Sequence, residues 1–173
     1  MMKISLLIAL FALSLSAKVL LSPIEAMQEN LGNDIRVTKK NILLKKEDFL
    51  KIQQEAKVKL TTKIYRIYSA KKGDKIVAYG ILISQKVRSK NTVALYIIQD
   101  SVLKTIEIIA FNEPQEYLPS REWRSQFKNR QTDTMLKLSR NIPTITGATL
   151  SARALTDASR IALALYNQLL KEK

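Results

Sequence analysis

The chain has 173 residues, 46% of them hydrophobic and 25% charged, which is the balance of one folded domain rather than of a disordered chain. It contains no cysteine and no histidine, which excludes disulfides, thiolate-ligated iron–sulfur clusters, thioether-attached haem, histidine-activated nucleophiles and the usual zinc and copper sites. Redox chemistry would therefore need an organic cofactor, and the formal net charge of +14 favours an anionic partner.

The first 17 residues have the layout of a secretory signal sequence. Lys3 precedes an apolar stretch from Ile4 to Leu15, and small residues before Lys18 provide the cleavage site. The stretch falls short of the roughly 20 residues that span a bilayer, which favours cleavage over a retained membrane anchor. We therefore expect an exported protein whose partners are anionic lipid headgroups, acidic proteins or phosphate-bearing ligands, and not nucleic acid.

The first half of the chain predicts one helix and four strands. Residues 18–37 carry mixed signals and are not assigned to an element. Lys46–Lys57 has apolar positions at helical spacing, which predicts a short helix with one buried side. Four segments rich in Ile, Val, Thr and Tyr predict strands, with short connections such as Gly73-Asp74 that favour a meandering antiparallel sheet. These segments are Leu60–Tyr68, Lys75–Ser84, Thr92–Gln99 and Leu103–Phe111.

The second half begins with an irregular segment, residues 112–130, which ends in a short helical turn through Trp123 and Phe127. Pro143 then stops any helix. From Ser151 onward apolar residues recur at helical spacing with polar residues opposite, which predicts a long amphipathic C-terminal helix packed on the sheet. The predicted fold class is therefore α+β, an antiparallel β-sheet flanked by helices.

Small residues open this last helix at Thr146-Gly147-Ala148-Thr149. Their backbone can approach a ligand closely, and unpaired N–H groups at the positive end of the helix dipole favour a phosphate. The Thr149 hydroxyl could also form a phosphoester. The alternative is that Thr149 or Ser151 simply caps the helix, which contributes about 1 kcal/mol, with Gly147 as a turn residue.

Three blocks of sequence, taken in order, resemble the FMN-binding domain family, whose members include periplasmic flavin-carrying subunits of sodium-pumping and Rnf-type electron-transfer complexes. They are Asn112–Pro119, Glu122–Phe127 and Ile145–Ala154. The resemblance implies that FMN is joined by its phosphate to Thr149, the last threonine of the motif. It also implies a separate flavin transferase that uses FAD and magnesium and releases AMP. That division of labour suits a chain without histidine, because a threonine hydroxyl needs a base to attack.

The expected cofactor-binding residues surround the attachment point and extend into the irregular segment. They are Thr146, Gly147, Ala148, Thr149, Leu150, Ser151, Glu113, Tyr117 and Trp123. Tyr117 and Trp123 could stack on the flavin ring or pack in the core. Glu113 could hydrogen-bond the ring system or face water.

These expectations divide the chain into a signal peptide at 1–17, an extension of unassigned structure at 18–37 and an FMN-binding domain at 38–173. The implied function is electron transfer in the periplasm, with redox partner proteins at or near the inner membrane and an anionic membrane surface as a further contact. Two alternatives stay open. One is a flavin-dependent reductase or its electron-feeding subunit, and the other is a non-redox module that binds another anion on the same fold.

Overall fold

The computed structural model describes residues 19–171, so the predicted signal sequence lies outside the described residues. Within that range the helices are α1 (Pro23–Leu31), α2 (Lys46–Ala56), α3 (Arg121–Ser125) and α4 (Thr149–Leu169). A 3-10 turn at Gln115–Tyr117 precedes α3. The strands are β1 (Arg36–Leu43), β2 (Ile64–Lys72), β3 (Lys75–Lys86), β4 (Asn91–Gln99), β5 (Val102–Phe111) and β6 (Arg130–Gln131).

The six strands form a single sheet in the order of the chain, β1 to β6, and each neighbouring pair is antiparallel. This confirms the predicted α+β fold with its meandering sheet and C-terminal helix. The hairpin between β2 and β3 turns at Gly73-Asp74 as predicted, with Lys72 paired to Lys75. Gly73 has a φ of 59°, in the left-handed region that glycine enters without strain.

The sheet separates two groups of buried side chains. Helices α2 and α4 cover one face, where Leu155 and Ile161 of α4 pack over Tyr96 and Ile81 of the sheet. The Tyr96 hydroxyl donates to the Leu155 carbonyl at 3.4 Å, which ties α4 to β4. Helix α1 covers part of the opposite face. Because α4 is held along its length by the larger core, its first turn has a fixed place beside the sheet.

The stretch from 18 to 37, unassigned in the sequence, contains α1 and the first residues of β1. Helix α1 begins with a capping box, in which Ser22 Oγ accepts the Glu25 N–H at 3.1 Å and Glu25 accepts the Ser22 N–H at 3.0 Å. Met27 of this helix is fully buried. The domain boundary placed at residue 38 therefore falls inside β1, and the preceding residues belong to the same folded unit.

Strand β2 begins at Ile64, later than the predicted start at Leu60. The reason is local hydrogen bonding, since the Leu60 N–H donates to the Gln53 side chain at 3.0 Å and Thr62 Oγ1 accepts the Ile64 N–H at 3.0 Å. These bonds make residues 60–63 a connection from α2. Among residues 19–171, none of the helices has the length and apolar character required to cross a bilayer.

Candidate functional site

The segment before α4 is held in place by a tryptophan. The Trp123 indole N–H donates to the Pro143 carbonyl at 3.1 Å, and the ring meets Phe127 edge-on with 5.3 Å between centroids. Trp123 is only 8% exposed and lies in the main core. Of the two alternatives for Trp123, the structure shows core packing, and its bond to Pro143 fixes the chain three residues before Thr146.

The motif itself forms a tight turn into the helix. The Ala148 N–H donates to the Ile145 carbonyl at 3.1 Å, and Gly147 sits at φ 79° with open space where a side chain would point. Ala148 is the N-cap residue, and no side chain caps the helix. Thr149 is the first helical residue, and its Oγ1 donates to the Ile145 carbonyl at 3.3 Å. The alternative in which Thr149 or Ser151 caps α4 is therefore wrong.

The uncapped end leaves backbone donors free of intrahelical partners. The first intrahelical hydrogen bond runs from the Ala152 N–H to the Ala148 carbonyl at 3.1 Å, so the N–H groups of Thr149, Leu150 and Ser151 precede the first intrahelical donor. They point out of the helix at the positive end of its dipole. This arrangement suits an anion.

A cleft of about 250 Å³ opens at this helix end. Its lining joins the helix terminus to the β3–β4 hairpin and to the segment after β5. The lining residues are Val87, Arg88, Glu113, Tyr117, Gly147, Ala148, Thr149, Leu150 and Ser151. The structure thus brings most of the predicted cofactor-binding set together, while Thr146 is exposed and lies outside the lining, as does Trp123.

Ser151 is the least satisfied group in the cleft. Its side chain is only 2% exposed, and its Oγ has no hydrogen-bond partner in the described chain. A buried hydroxyl without a partner costs roughly 1–3 kcal/mol, which a ligand oxygen would recover. An orphaned buried donor beside free helix N–H groups therefore points to a bound acceptor.

Glu113 was expected either to hydrogen-bond the flavin ring system or to face water, but the structure shows it bound to the β3–β4 hairpin. Its Oε1 accepts the N–H groups of Arg88, Ser89 and Lys90 at 3.0, 2.7 and 2.7 Å, and Oε2 accepts the Ser89 hydroxyl at 3.3 Å. The Lys90 N–H, aided by those of Ser89 and Arg88, holds the pKa of the Glu113 carboxyl below its ordinary value despite the opposing effect of desolvation. Glu113 is therefore a clamp on the β3–β4 hairpin and neither faces bulk water nor offers its lone pairs freely to a ligand.

The clamp places Arg88 at the cleft; this residue belongs to the basic run Lys86–Lys90, which by itself reads as a solvated turn. Its side chain is exposed, and within residues 19–171 no ion pair engages it. The guanidinium is free to meet an anion bound at the helix end. In the sequence, the acidic Glu113 after β5 is the feature that could have pointed to Arg88. Only the folded structure shows that the Glu113 carboxylate contacts the backbone of the hairpin that carries Arg88.

The cleft also has an apolar rim. Leu150 is 46% exposed at the mouth, and Tyr117 is half-buried, packing on the core while it lines the cleft. A planar ring could rest against these two side chains. Glu116, a second acidic residue of this segment, is exposed and is not among the residues that line the cleft.

No model of a known protein family matches the chain, and no curated protein matches it. The resemblance to the FMN-binding domain family thus depends on the sequence blocks alone.

Proposed function

We propose that this protein is an electron carrier with FMN attached through a phosphoester to Thr149. The observation that carries the proposal is the partnerless Ser151 hydroxyl, buried beside a helix end that exposes the Thr149 hydroxyl and three free backbone N–H groups. When bound, the flavin would supply one- or two-electron exchange, which no side chain of this chain provides. The exported location remains part of the proposal.

The N-terminal end of α4, residues 149–151, would bind the phosphate, and we call it the phosphate seat. Backbone N–H groups of Leu150 and Ser151 and the Ser151 hydroxyl would donate to the phosphate oxygens, and Arg88 would add a positive charge from the opposite wall. Glu113 does not oppose this, because its carboxylate is engaged by the hairpin backbone. The seat is therefore electropositive although a carboxylate lines it.

The size of the cleft favours a carrier in which the ring stays accessible. A cleft of about 250 Å³ is below the roughly 300–1,000 Å³ of pockets that bury a whole ligand. It holds a phosphate and part of the attached chain, and leaves the ring at the mouth beside Leu150 and Tyr117. An accessible ring edge suits electron exchange with a partner protein.

Attachment needs a second protein. Thr149 Oγ1 donates a hydrogen bond to the Ile145 carbonyl. Among the described residues that line the cleft, Glu113 is the only carboxylate and it is engaged by the hairpin, so they supply no free base. In the proposed step Thr149 Oγ1 bonds to the FMN-side phosphorus of FAD, the pyrophosphate bond breaks and AMP leaves. The hydroxyl proton passes to a base of the magnesium-dependent flavin transferase.

The test is to coexpress the full chain with a flavin transferase, denature it, and measure flavin fluorescence and intact mass. We expect a mass increase of FMN minus water in the wild type, none in Thr149→Ala, and a retained label in Thr149→Ser, which keeps the hydroxyl. Thr146→Ala is the matched control and should stay labelled, because Thr146 lies outside the cleft.

An unmodified wild-type chain under these conditions would refute the proposal, and a label that survives in Thr149→Ala would refute the attachment site. Retention of inorganic phosphate by an unlabelled chain would assign the seat to a non-redox anion module. Rapid turnover of a small acceptor by the isolated flavinylated chain would make it a reductase.

A further inference from the structure

The sheet face that carries α1 is only partly covered. Val37, Leu82 and Val93 pack towards the α1 cluster, and strand alternation places further side chains of β1–β3 on the same side. Arg66 Nε of β2 donates to Asn41 Oδ1 of β1 at 3.2 Å, which confirms that the side chains of these two paired residues lie on the same face of the sheet. The exposed part, which we call the basic face, consists of Lys39, Asn41, Leu43, Ile64, Arg66, Ser84 and Lys86.

The charge on this part of the sheet has one sign. Every charged residue in strands β1 to β4 is Lys or Arg. In the described range of 19–171 the ion pairs join Lys72 to Asp34, Arg124 to Glu107 and Arg160 to Asp157, so none includes a cation of the basic face. Lys39, Arg66 and Lys86 therefore present uncompensated positive charge to whatever lies against the sheet.

Two large aliphatic side chains stand among these cations. Leu43 and Ile64 are directly opposite each other across β1 and β2 and are 69% and 59% exposed. Together they form a small exposed apolar patch rimmed by polar and charged residues, the arrangement found at interaction sites. Cations around exposed aliphatics match the interface of an anionic bilayer, where the charges meet headgroups and the apolar groups enter the boundary region.

The chain also reaches the described fold on the same sheet. Val19, 66% exposed, bridges Ala110 at the outer edge of β5, and Ala110 pairs with Val93 of β4. The residues before it in the sequence include the apolar stretch from Ile4 to Leu15. If this stretch is retained rather than cleaved, it connects to the fold at this end of the sheet. Contact of the basic face with a membrane does not require it, because the chain that follows the cleavage site keeps the whole basic face.

We propose that the basic face docks on an anionic lipid bilayer. Lys39, Arg66 and Lys86 contact headgroup anions, and Leu43 and Ile64 enter the interface. The proposal does not depend on flavin, because none of these residues lines the cleft. Lys86 ends β3 next to the hairpin that carries Arg88, so docking would hold the cleft near the membrane surface.

Partitioning of the full, unflavinylated chain to vesicles tests the charge. Binding to vesicles of 30% phosphatidylglycerol in phosphatidylcholine at low salt should exceed binding to pure phosphatidylcholine. The double variant Lys39→Gln with Lys86→Gln should lose about thirtyfold in the phosphatidylglycerol-dependent binding. Lys46→Gln with Lys51→Gln removes the same charge from α2, on the other side of the sheet, and should change it less than about threefold. Equal losses in both double variants would show a net-charge effect and overturn the proposal.

A single fluorescent label tests the orientation, even if the N-terminal apolar segment inserts by itself. Because the chain has no cysteine, Ile64→Cys and Lys51→Cys each create a unique site for an environment-sensitive dye. The same phosphatidylglycerol vesicles should shift the emission at position 64 to the blue and leave position 51 unchanged. The reverse pattern, or no shift at either position, would overturn the proposal. So would binding to soluble polyglutamate without binding to vesicles, which would assign the basic face to acidic proteins.

Discussion

The effect of Ser151→Ala on stability should change sign depending on whether flavin is attached at Thr149. In the chain without flavin, Ser151→Ala removes a buried hydroxyl that has no partner, so the desolvation cost of roughly 1–3 kcal/mol disappears. A small void and lost packing offset part of this gain, and alanine adds a few tenths of a kcal/mol of helix propensity. We expect the unmodified variant to be more stable by about 1 kcal/mol. For a chain of this size the Tm should rise by roughly 2–4 °C.

In the flavinylated chain the same substitution should have the opposite effect. The hydroxyl would then donate to a charged phosphate oxygen, an interaction that contributes about 1.5–3 kcal/mol. The stabilisation gained on attachment, measured as the difference in urea unfolding free energy between labelled and unlabelled protein, should therefore be smaller in Ser151→Ala than in wild type. The assay needs only labelled and unlabelled samples of both chains.

Ser159→Ala is the matched control. Ser159 is a buried serine of the same helix, but its Oγ donates to the Leu155 carbonyl at 2.7 Å. Its removal should destabilise both forms by a similar amount, because a hydrogen bond that contributes about 0.5–1.5 kcal/mol is lost in each. If Ser151→Ala destabilises the unmodified chain as much as Ser159→Ala does, then the Ser151 hydroxyl already has a partner and the reasoning that made it a ligand group fails.

Two further predictions concern the support of the site and the sheet. The pKa of the Glu113 carboxyl is lowered in the folded state, so its bonds to the hairpin stabilise the fold above pH 4.5, the pKa of the unfolded chain, and this stabilisation is lost as the pH falls below that value. The difference in Tm between wild type and Glu113→Gln should therefore be large at pH 7 and should shrink on acidification. A difference that does not depend on pH would contradict this. In Gly80→Ala the new Cβ would lie 2.9 Å from Met27 Sδ and 3.1 Å from Leu95 Cδ1, so urea unfolding should show a loss of about 1–3 kcal/mol, and an unchanged midpoint would show that Met27 moves aside at no cost.

The sequence predicted the elements that carry a clear pattern or composition. Helices α2 and α4 have apolar residues at helical spacing, so periodicity was sufficient for them. Strands β3 to β5 were predicted from their richness in Ile, Val, Thr and Tyr, since β4 and β5 bury nearly continuous runs rather than alternate residues. Strand β1 was missed because it is an edge strand with most side chains exposed, and the run Arg36–Leu43 shows no clear alternation. Helix α1 was missed although Ser22, Pro23 and Glu25 have the spacing of a capping box, a signal that was available.

The site was predictable where it is local in sequence. The turn at Gly147 and the free helix end follow from the motif and the periodicity of α4. The roles of Glu113 and Arg88 could not be read in advance, because they depend on a carboxylate that contacts backbone N–H groups 23 to 25 residues away. Trp123 was ambiguous for the same reason, since only the fold shows that its indole meets Pro143.

The C-terminal end of α4 bears on when the proposed flavin attachment could occur during biosynthesis. Asn167 and Gln168, in the last turn, donate to the two carboxylate oxygens of Glu55 at 2.7 and 2.6 Å, which joins the end of this helix to α2. Most of the stability of a helix within a protein comes from the packing of its apolar face, so α4 is expected to become stable by docking against elements made much earlier. The phosphate seat in its first turn is therefore absent from a nascent chain that has not reached these residues. Attachment at Thr149 is expected to follow completion of the fold, with a folded domain as the substrate of the transferase.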